Sequence, residues 1–359
     1  MEPLHSPLHE IHVSLGAKFA EFGGWDMPLE YADGGVLAEH NSVRNAVGVF
    51  DVSHLGKALV KGLGAVEFLN RCLTNDLNRV SAGEAQYTLL CTESGGVTDD
   101  LIAYRVSDDE VFLIPNAANT SAVVAVLQAS APDSIEVTNQ HREYAVIAIQ
   151  GPKSKAVLAA LALPADQDYM AFADGKLGDI DVRICRTGYT GEHGYEVVVR
   201  SEHAVAVWEQ LFDAGAEHEI RACGLGARDT LRTEMGYALH GHELTDTISP
   251  VMARVGWAVG WSKPDFLGKA ELTDQKEKKE VRLLWGLLAK GRGIPRAEMP
   301  VGEIGVVTSG TFSPTLRKGI GLALLDGTIS EGDVVTIDIR GRNEEFEVVK
   351  PPFVDSNVR

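Results

Sequence analysis

Cysteine is scarce: the chain of 359 residues holds four, Cys72, Cys91, Cys185 and Cys223. No two stand in a C-x-x-C spacing, which excludes a zinc ribbon and a redox dithiol, and their wide separation argues against a disulfide framework. They read as buried, reduced thiols of a cytoplasmic protein. Long apolar runs are also missing, since none reaches the roughly 18 residues that a membrane span needs. Met1 to Glu10 has neither a cationic nor an apolar signal region and is not Arg-rich like a transit peptide. The expectation is a cytoplasmic chain without a membrane partner. Positive charge is in short supply, with Lys and Arg numbering 33 against 51 Asp and Glu and a net charge of -18. Such a field repels nucleic acid and anionic surfaces, so nucleic acid is not an expected partner either. No G-x-S-x-G and no P-loop occurs, which removes the hydrolase elbow and the commonest phosphate cradle.

What is present is an ordinary globular composition, 45% hydrophobic and 23% charged, long enough for two or three domains. Residues 1–50 read as a short helical segment and loops, and 57–72 have helical spacing around Val66, Phe68 and Leu69. Three β-rich runs follow, at Tyr87–Cys91, Leu101–Val106 and Val111–Ile114. The turns between them predict an antiparallel meander, and Thr120–Ala129 a helix. A second block repeats the theme: strand Tyr144–Ile149, helix Lys153–Leu161, strands Ile180–Arg186 and Glu196–Val199, helix Ala204–Ala214. Strands grouped with strands, then helices, indicate an α+β class rather than an alternating parallel sheet. The wholly polar stretch Asp274 to Glu280 reads as a linker or exposed helix end, and beyond it the chain is nearly all β.

Some local patterns lead nowhere. Gly224-Leu225-Gly226 opens like a dinucleotide fingerprint but lacks the third glycine, and no clear strand leads into it. His240 and His242 cannot share a helix face, and His5, His9 and His12 lack partners of known ligand spacing, so no metal is expected.

Two patterns carry chemistry. In Gly95-Gly96-Val97-Thr98-Asp99-Asp100-Leu101-Ile102 a glycine turn feeds two acids into an apolar strand. Strand alternation sends Asp99 and Asp100 to opposite faces, and an inward carboxylate is costly unless it is paired or has a task. Turn-capping acids are the equal alternative. In Arg186-Thr187-Gly188-Tyr189-Thr190-Gly191-Glu192-His193-Gly194-Tyr195-Glu196, glycines permit close approach of backbone to a ligand, unless the segment is simply a long hairpin turn.

Over its whole length the chain resembles the aminomethyltransferase (T-protein) family of the glycine cleavage system. The match is carried by Phe22-Gly-Gly-Trp25, Phe50-Asp51-Val52-Ser53-His54, Gly95-Gly96 with Asp99-Asp100-Leu101, and Gln150-Gly151-Pro152. It continues in Thr187-Gly188-Tyr189-Thr190-Gly191-Glu192, Ala227-Arg228-Asp229 with Glu234, and Thr308-Ser309-Gly310. The resemblance implies a three-domain cloverleaf around a folate cavity. Residues 1–50 with 138–235 and 51–137 with 236–273 would form two interleaved α+β domains, and 280–359 a C-terminal antiparallel β-barrel-like domain. It implies transfer of the methylene carbon of an aminomethyl group, carried on the lipoyl arm of H-protein, to tetrahydrofolate. The products would be 5,10-methylenetetrahydrofolate, ammonia and dihydrolipoyl H-protein. Asp100 would be catalytic; Tyr87, Asn116, Tyr189, Glu196 and Arg228 would bind folate; Asp99 would remain a turn and surface acid. Met252, Arg254, Thr233 and His240 depart from the usual pattern. The same fold also serves non-catalytic folate proteins of iron–sulfur maturation and folate-linked demethylases. Those carry a cysteine motif or a flavin domain that this chain does not show.

Overall fold

The computed structural model describes residues 2–279 and 281–359. Its centre is a six-stranded sheet in the order Phe172–Leu177, Ile180–Cys185, Gly194–Arg200, Tyr144–Gln150, Val47–Asp51 and Ile220–Cys223. All neighbours are antiparallel except the last pair. Helices Ser154–Ala160 and Ala204–Gly215 cover one face, where Val157, Val207, Trp208 and Leu211 meet Ile147, Ile149 and Val197. The other face packs on a second sheet, bringing Phe50, Val146, Ala148 and Val198 against Tyr104, Phe112 and Ile114. Burial on both faces explains the unbroken apolar run Val197-Val198-Val199, which alternation alone would not demand.

The second sheet has five antiparallel strands in the order Glu84–Cys91, Val97–Ser107, Glu110–Ile114, Ala58–Lys61 and Glu136–Asn139. Its first three are the predicted meander. Helices Ala65–Cys72 and Thr120–Ser130 close its far side through Phe68, Leu69, Val123 and Leu127. The segment 57–72 is therefore only half helical. Gly62 and Gly64 take φ of +136° and +83°, a left-handed path that ends the strand Ala58–Lys61 before a helix can begin.

Two other expectations change. Residues 1–50 are not mostly loop, because Leu4–His5, Trp25–Tyr31 and Ala17–Phe22 form a three-stranded sheet and Gly35–Asn45 is a helix. A strand, Ile220–Cys223, does lead into Gly224 and the helix Leu225–Met235. Gly224 nevertheless serves packing, for a Cβ there would sit 2.4 Å from the backbone of Leu29. The polar stretch after Lys269 is a helix to Lys278.

The C-terminal sheet is antiparallel, ordered Pro300–Val301, Gly305–Ser313, Lys318–Leu325, Leu283–Ala289, Arg342–Val349 and Val334–Ile339. Its edge strands come back together, leaving a nearly closed barrel filled by Leu287, Ile337, Phe346 and Val348. Among the described residues, no helix is long and apolar enough to cross a membrane.

Glu234, on the helix Leu225–Met235, ties the barrel to the rest. Its carboxylate accepts from Ser313 Oγ at 2.5 Å, Thr315 Oγ1 at 2.9 Å and Arg44 Nη2 at 2.7 Å, with His40 Nε2 at 3.4 Å. Burial opposes its ionisation, but the bond to His40, the bond from Ser313 and the charge of Arg44 outweigh this and hold Glu234 down to about 2. A lowered carboxyl contributes stability that is present above its unfolded value and lost as pH falls. For Glu234 that loss runs from the ordinary value of 4.5 down to about 2. Glu234→Ala leaves Arg44 buried without this partner and is expected to cost about 3–5 kcal/mol. Urea titration at neutral pH measures this, and the difference from the parent chain should shrink as pH approaches 2.

Candidate active site

The strands Glu84–Cys91 and Val97–Ser107 set the register of the acidic pair, with Asp100 opposite Leu89 and Ile102 opposite Tyr87. Alternation sends Val97, Asp99, Leu101 and Ala103 to the fully buried face, and Thr98, Asp100 and Ile102 to the face that keeps access. Asp99 is therefore not a surface acid, since its exposure is 0%. The segment after the strand Glu110–Ile114 folds over it. Asn116 donates its backbone N–H to Asp99 Oδ2 at 2.9 Å and its amide to Asp99 Oδ1 at 2.9 Å. Asn119 Nδ2 donates to Asp99 Oδ1 at 2.7 Å.

Asp100 is bound on two sides. Asn116 Nδ2 lies 2.9 Å from its Oδ1, sharing two hydrogens among that oxygen, Asp99 Oδ1 and the Asp100 carbonyl, and the Tyr87 hydroxyl lies 2.9 Å from its Oδ2. Burial raises both carboxyls. Burial, and then the charge of Asp100, push the Tyr87 hydroxyl far above its ordinary range. A phenol so placed stays neutral and is available as a hydrogen-bond partner.

Across from this pair stands the glycine-rich segment. Tyr189 donates its hydroxyl to the Ala238 carbonyl, and the Arg228 guanidinium lies 4.7 Å from the centre of its ring. Glu196, in the central sheet, accepts from Thr187 Oγ1 at 2.5 Å, and Thr187 is in turn 3.2 Å from the Tyr104 hydroxyl. Arg228 lies within electrostatic reach of Glu196, and Tyr189 of Asp100, so the fold brings the six predicted residues into one neighbourhood. Tyr87, Asp100, Asn116, Tyr189 and Arg228 lie deep in the molecule yet keep part of their surface accessible, the mark of groups lining a cavity.

The site holds polar capacity that the protein does not use. Arg228 Nη1 and His54 Nδ1 are buried without a partner. Burial, and then the charge of Arg228, hold His54 down to about 3, so its ring is neutral. Buried donors are rarely left open without a ligand to fill them. An aromatic residue that sequence reasoning did not single out also belongs here. Trp257 stacks on Tyr87 with centroids 5.3 Å apart and is 65% exposed. Only its exposure and its neighbour mark it, and neither is visible in a sequence. Two of the histidines considered above have separate duties: His242 Nδ1 meets the Thr308 carbonyl, and His12 Nε2 is 2.9 Å from Asp51; His5 and His9 stack on each other, with their ring nitrogens and a carboxylate oxygen of Asp26 within 4.8 Å of one another. Flat aromatic faces, a partly accessible carboxyl beside a buried one, and a guanidinium with an unused donor suit a planar, hydrogen-bonding ligand and proton transfer beside it.

The sequence relationships agree with this architecture. Residues 8–263 match the GCVT N-terminal domain family, and residues 282–355 match the glycine cleavage T-protein C-terminal barrel domain. The aminomethyltransferase of Mycobacterium avium (strain 104) is 59% identical, covering 99% of this chain and 98% of that protein. That of Mycobacterium tuberculosis (strain ATCC 25618 / H37Rv) is 58% identical, covering 100% and 99%. The crystal structure of glycine cleavage system aminomethyltransferase T from Bartonella henselae superposes with a TM-score of 0.92 at 34% identity, covering 98% of each chain. With both domain families matched in order and the fold shared from end to end, this chain belongs to the glycine cleavage system T-protein family of aminomethyltransferases.

Proposed function

We propose that this enzyme moves the methylene carbon of an aminomethyl group, held as a thioether on the lipoyl arm of H-protein, to tetrahydrofolate. The products are 5,10-methylenetetrahydrofolate, ammonia and the dihydrolipoyl carrier. One observation carries the reading: a deep but partly accessible carboxyl, Asp100, is held by Tyr87 and Asn116 within electrostatic reach of Tyr189, whose ring carries the Arg228 guanidinium 4.7 Å from its centre.

The residues present fit folate. Glu196 offers a carboxylate suited to the donor edge of a pterin, and the unpartnered Nη1 of Arg228 can donate to a ring or carboxylate oxygen. Tyr87, Tyr189 and Trp257 offer flat faces. In the overall reaction two N–H protons of folate end on the departing ammonia and the departing thiol. Each C–N bond that forms releases one of them, and each bond that breaks at the carbon takes one up. Asp100 is placed to relay these protons, because burial raises its carboxyl above the ordinary aspartate value and its face of the strand keeps access. No protein nucleophile is required, so positioning accounts for much of the rate.

The carrier needs a landing surface on a chain of net charge -18. Arg292, Arg296, Arg317 and Lys318 are exposed at the end of the barrel. There Arg296 Nη1 donates to the Gly310 carbonyl and Lys318 pairs across the sheet with Ser313. A local cationic strip of this kind suits an acidic lipoyl domain. The test is ammonia release from aminomethylated lipoyl carrier with and without tetrahydrofolate. Strong folate dependence is expected; release that ignores folate overturns the assignment.

A further inference from the structure

The hydrogen-bond directions around the acidic pair are fixed by groups that have only one option. The Val97 carbonyl can only accept, and it lies 2.9 Å from His240 Nε2, so that nitrogen carries the ring's hydrogen. Asn119 turns its NH2 group toward the other ring nitrogen, 3.0 Å away, and the same NH2 group donates to Asp99 Oδ1 at 2.7 Å. Asn116 is fixed in the same way. Its amide nitrogen lies 2.9 Å from the backbone carbonyl of Asp100, which can only accept. Every partner of Asp99 is thus an N–H donor, and a proton on Asp99 would find nothing to accept it. Asp100 differs, because its Oδ2 faces the Tyr87 hydroxyl, which can accept as well as donate.

We infer that Asp99 is a positioning residue: held as the anion by three N–H donors, it keeps the proton shared by the acidic pair on Asp100. His240 stands at the outer end of the array, with Nε2 2.9 Å from the Val97 carbonyl and Nδ1 3.0 Å from Asn119. The consequence deepens the function proposed above and rests on it. With the anion fixed on Asp99 by donors alone, the proton of the pair rests on Asp100, whose Oδ2 has in the Tyr87 hydroxyl a partner able to accept it, so the carboxyl on the accessible face begins the cycle protonated. It can then give its proton to a departing amine and recover one from the attacking nitrogen. The remaining titratable and charged groups facing Asp100 are Tyr87, His240 and Tyr189, with Arg228 and Arg232 behind Tyr189.

The experiment is a pH titration of the full chain labelled with 13C at the aspartate side-chain carboxyl, followed by NMR without folate or carrier. Labelling aspartate alone keeps the buried Glu39, which burial also raises, out of the spectrum. The expected result is a carboxyl titrating above the ordinary aspartate range in the parent chain and absent from Asp100→Asn, a nearly isosteric change at an accessible position. In Asp99→Asn the same resonance should move down by at least about one pH unit, because a charge only a few ångströms away has been removed. The acid form of Asp100 is lost as pH rises through its pKa, so the alkaline limb of the rate profile should move the same way. Persistence of the high titration in Asp100→Asn overturns the inference, as does its absence from the parent chain. Since the titration uses neither substrate, its failure is separable from a failure of the ammonia assay.

Discussion

Asp100→Asn lowers turnover by at least tenfold, and by about 10² if Asp100 relays both protons. The substitution keeps the shape and the contact with Tyr87 and removes the exchangeable proton. Binding should change little, so the loss should appear in kcat with KM nearly unmoved. That split separates a group acting in the transition state from one that merely holds the site together. The measurement is steady-state formation of methylenetetrahydrofolate. Near-normal turnover in this variant removes Asp100 from the chemistry, whatever the binding data show.

The second large effect concerns affinity. Glu196 lies on the central strand Gly194–Arg200, buried to 7% exposure, with Thr187 holding one oxygen. Its other oxygen is left for a ligand, and its charge acts on Arg228. A hydrogen bond to a charged group contributes about 1.5–3 kcal/mol, so Glu196→Ala should weaken tetrahydrofolate binding by roughly 10–100-fold. Calorimetric titration reads this directly. The loss is expected without the carrier present. Unchanged affinity takes Glu196 out of the site. Removal of Glu196 also leaves Arg228 buried without its nearest charge, so the melting temperature should be recorded beside the affinity.

The residue types and order of the site were legible in the chain, but their arrangement was only partly so. The meander over 84–114 and the helices Thr120–Ser130 and Ala204–Gly215 follow from period and turn chemistry, which are local properties. The sheet over residues 1–31 escaped the same reasoning because its strands are short and only one, Trp25–Tyr31, is mostly buried. Weak alternation gives no periodic signal when one partner strand has two residues, as Leu4–His5 does. The strand Ile220–Cys223 escaped for a related reason, being short and only partly buried at the sheet edge.

Asp99 shows the limit most clearly. Local sequence determined that Asp99 and Asp100 face opposite ways, because a pleated strand allows nothing else. It did not determine what covers each face. Here Asn116 and Asn119 close over Asp99 from a different strand connection, and Tyr87 and Tyr189 bound the space before Asp100. The sequence by itself determined an α+β chain with reduced thiols, a glycine-fed acidic pair and a glycine-rich aromatic segment. Only the tertiary structure decided that the buried member of the pair meets nothing but N–H donors. The physical reason is that donor direction is set by contacts between residues about 20 to 140 positions apart, from Asp99–Asn119 to Val97–His240, and no local pattern encodes those.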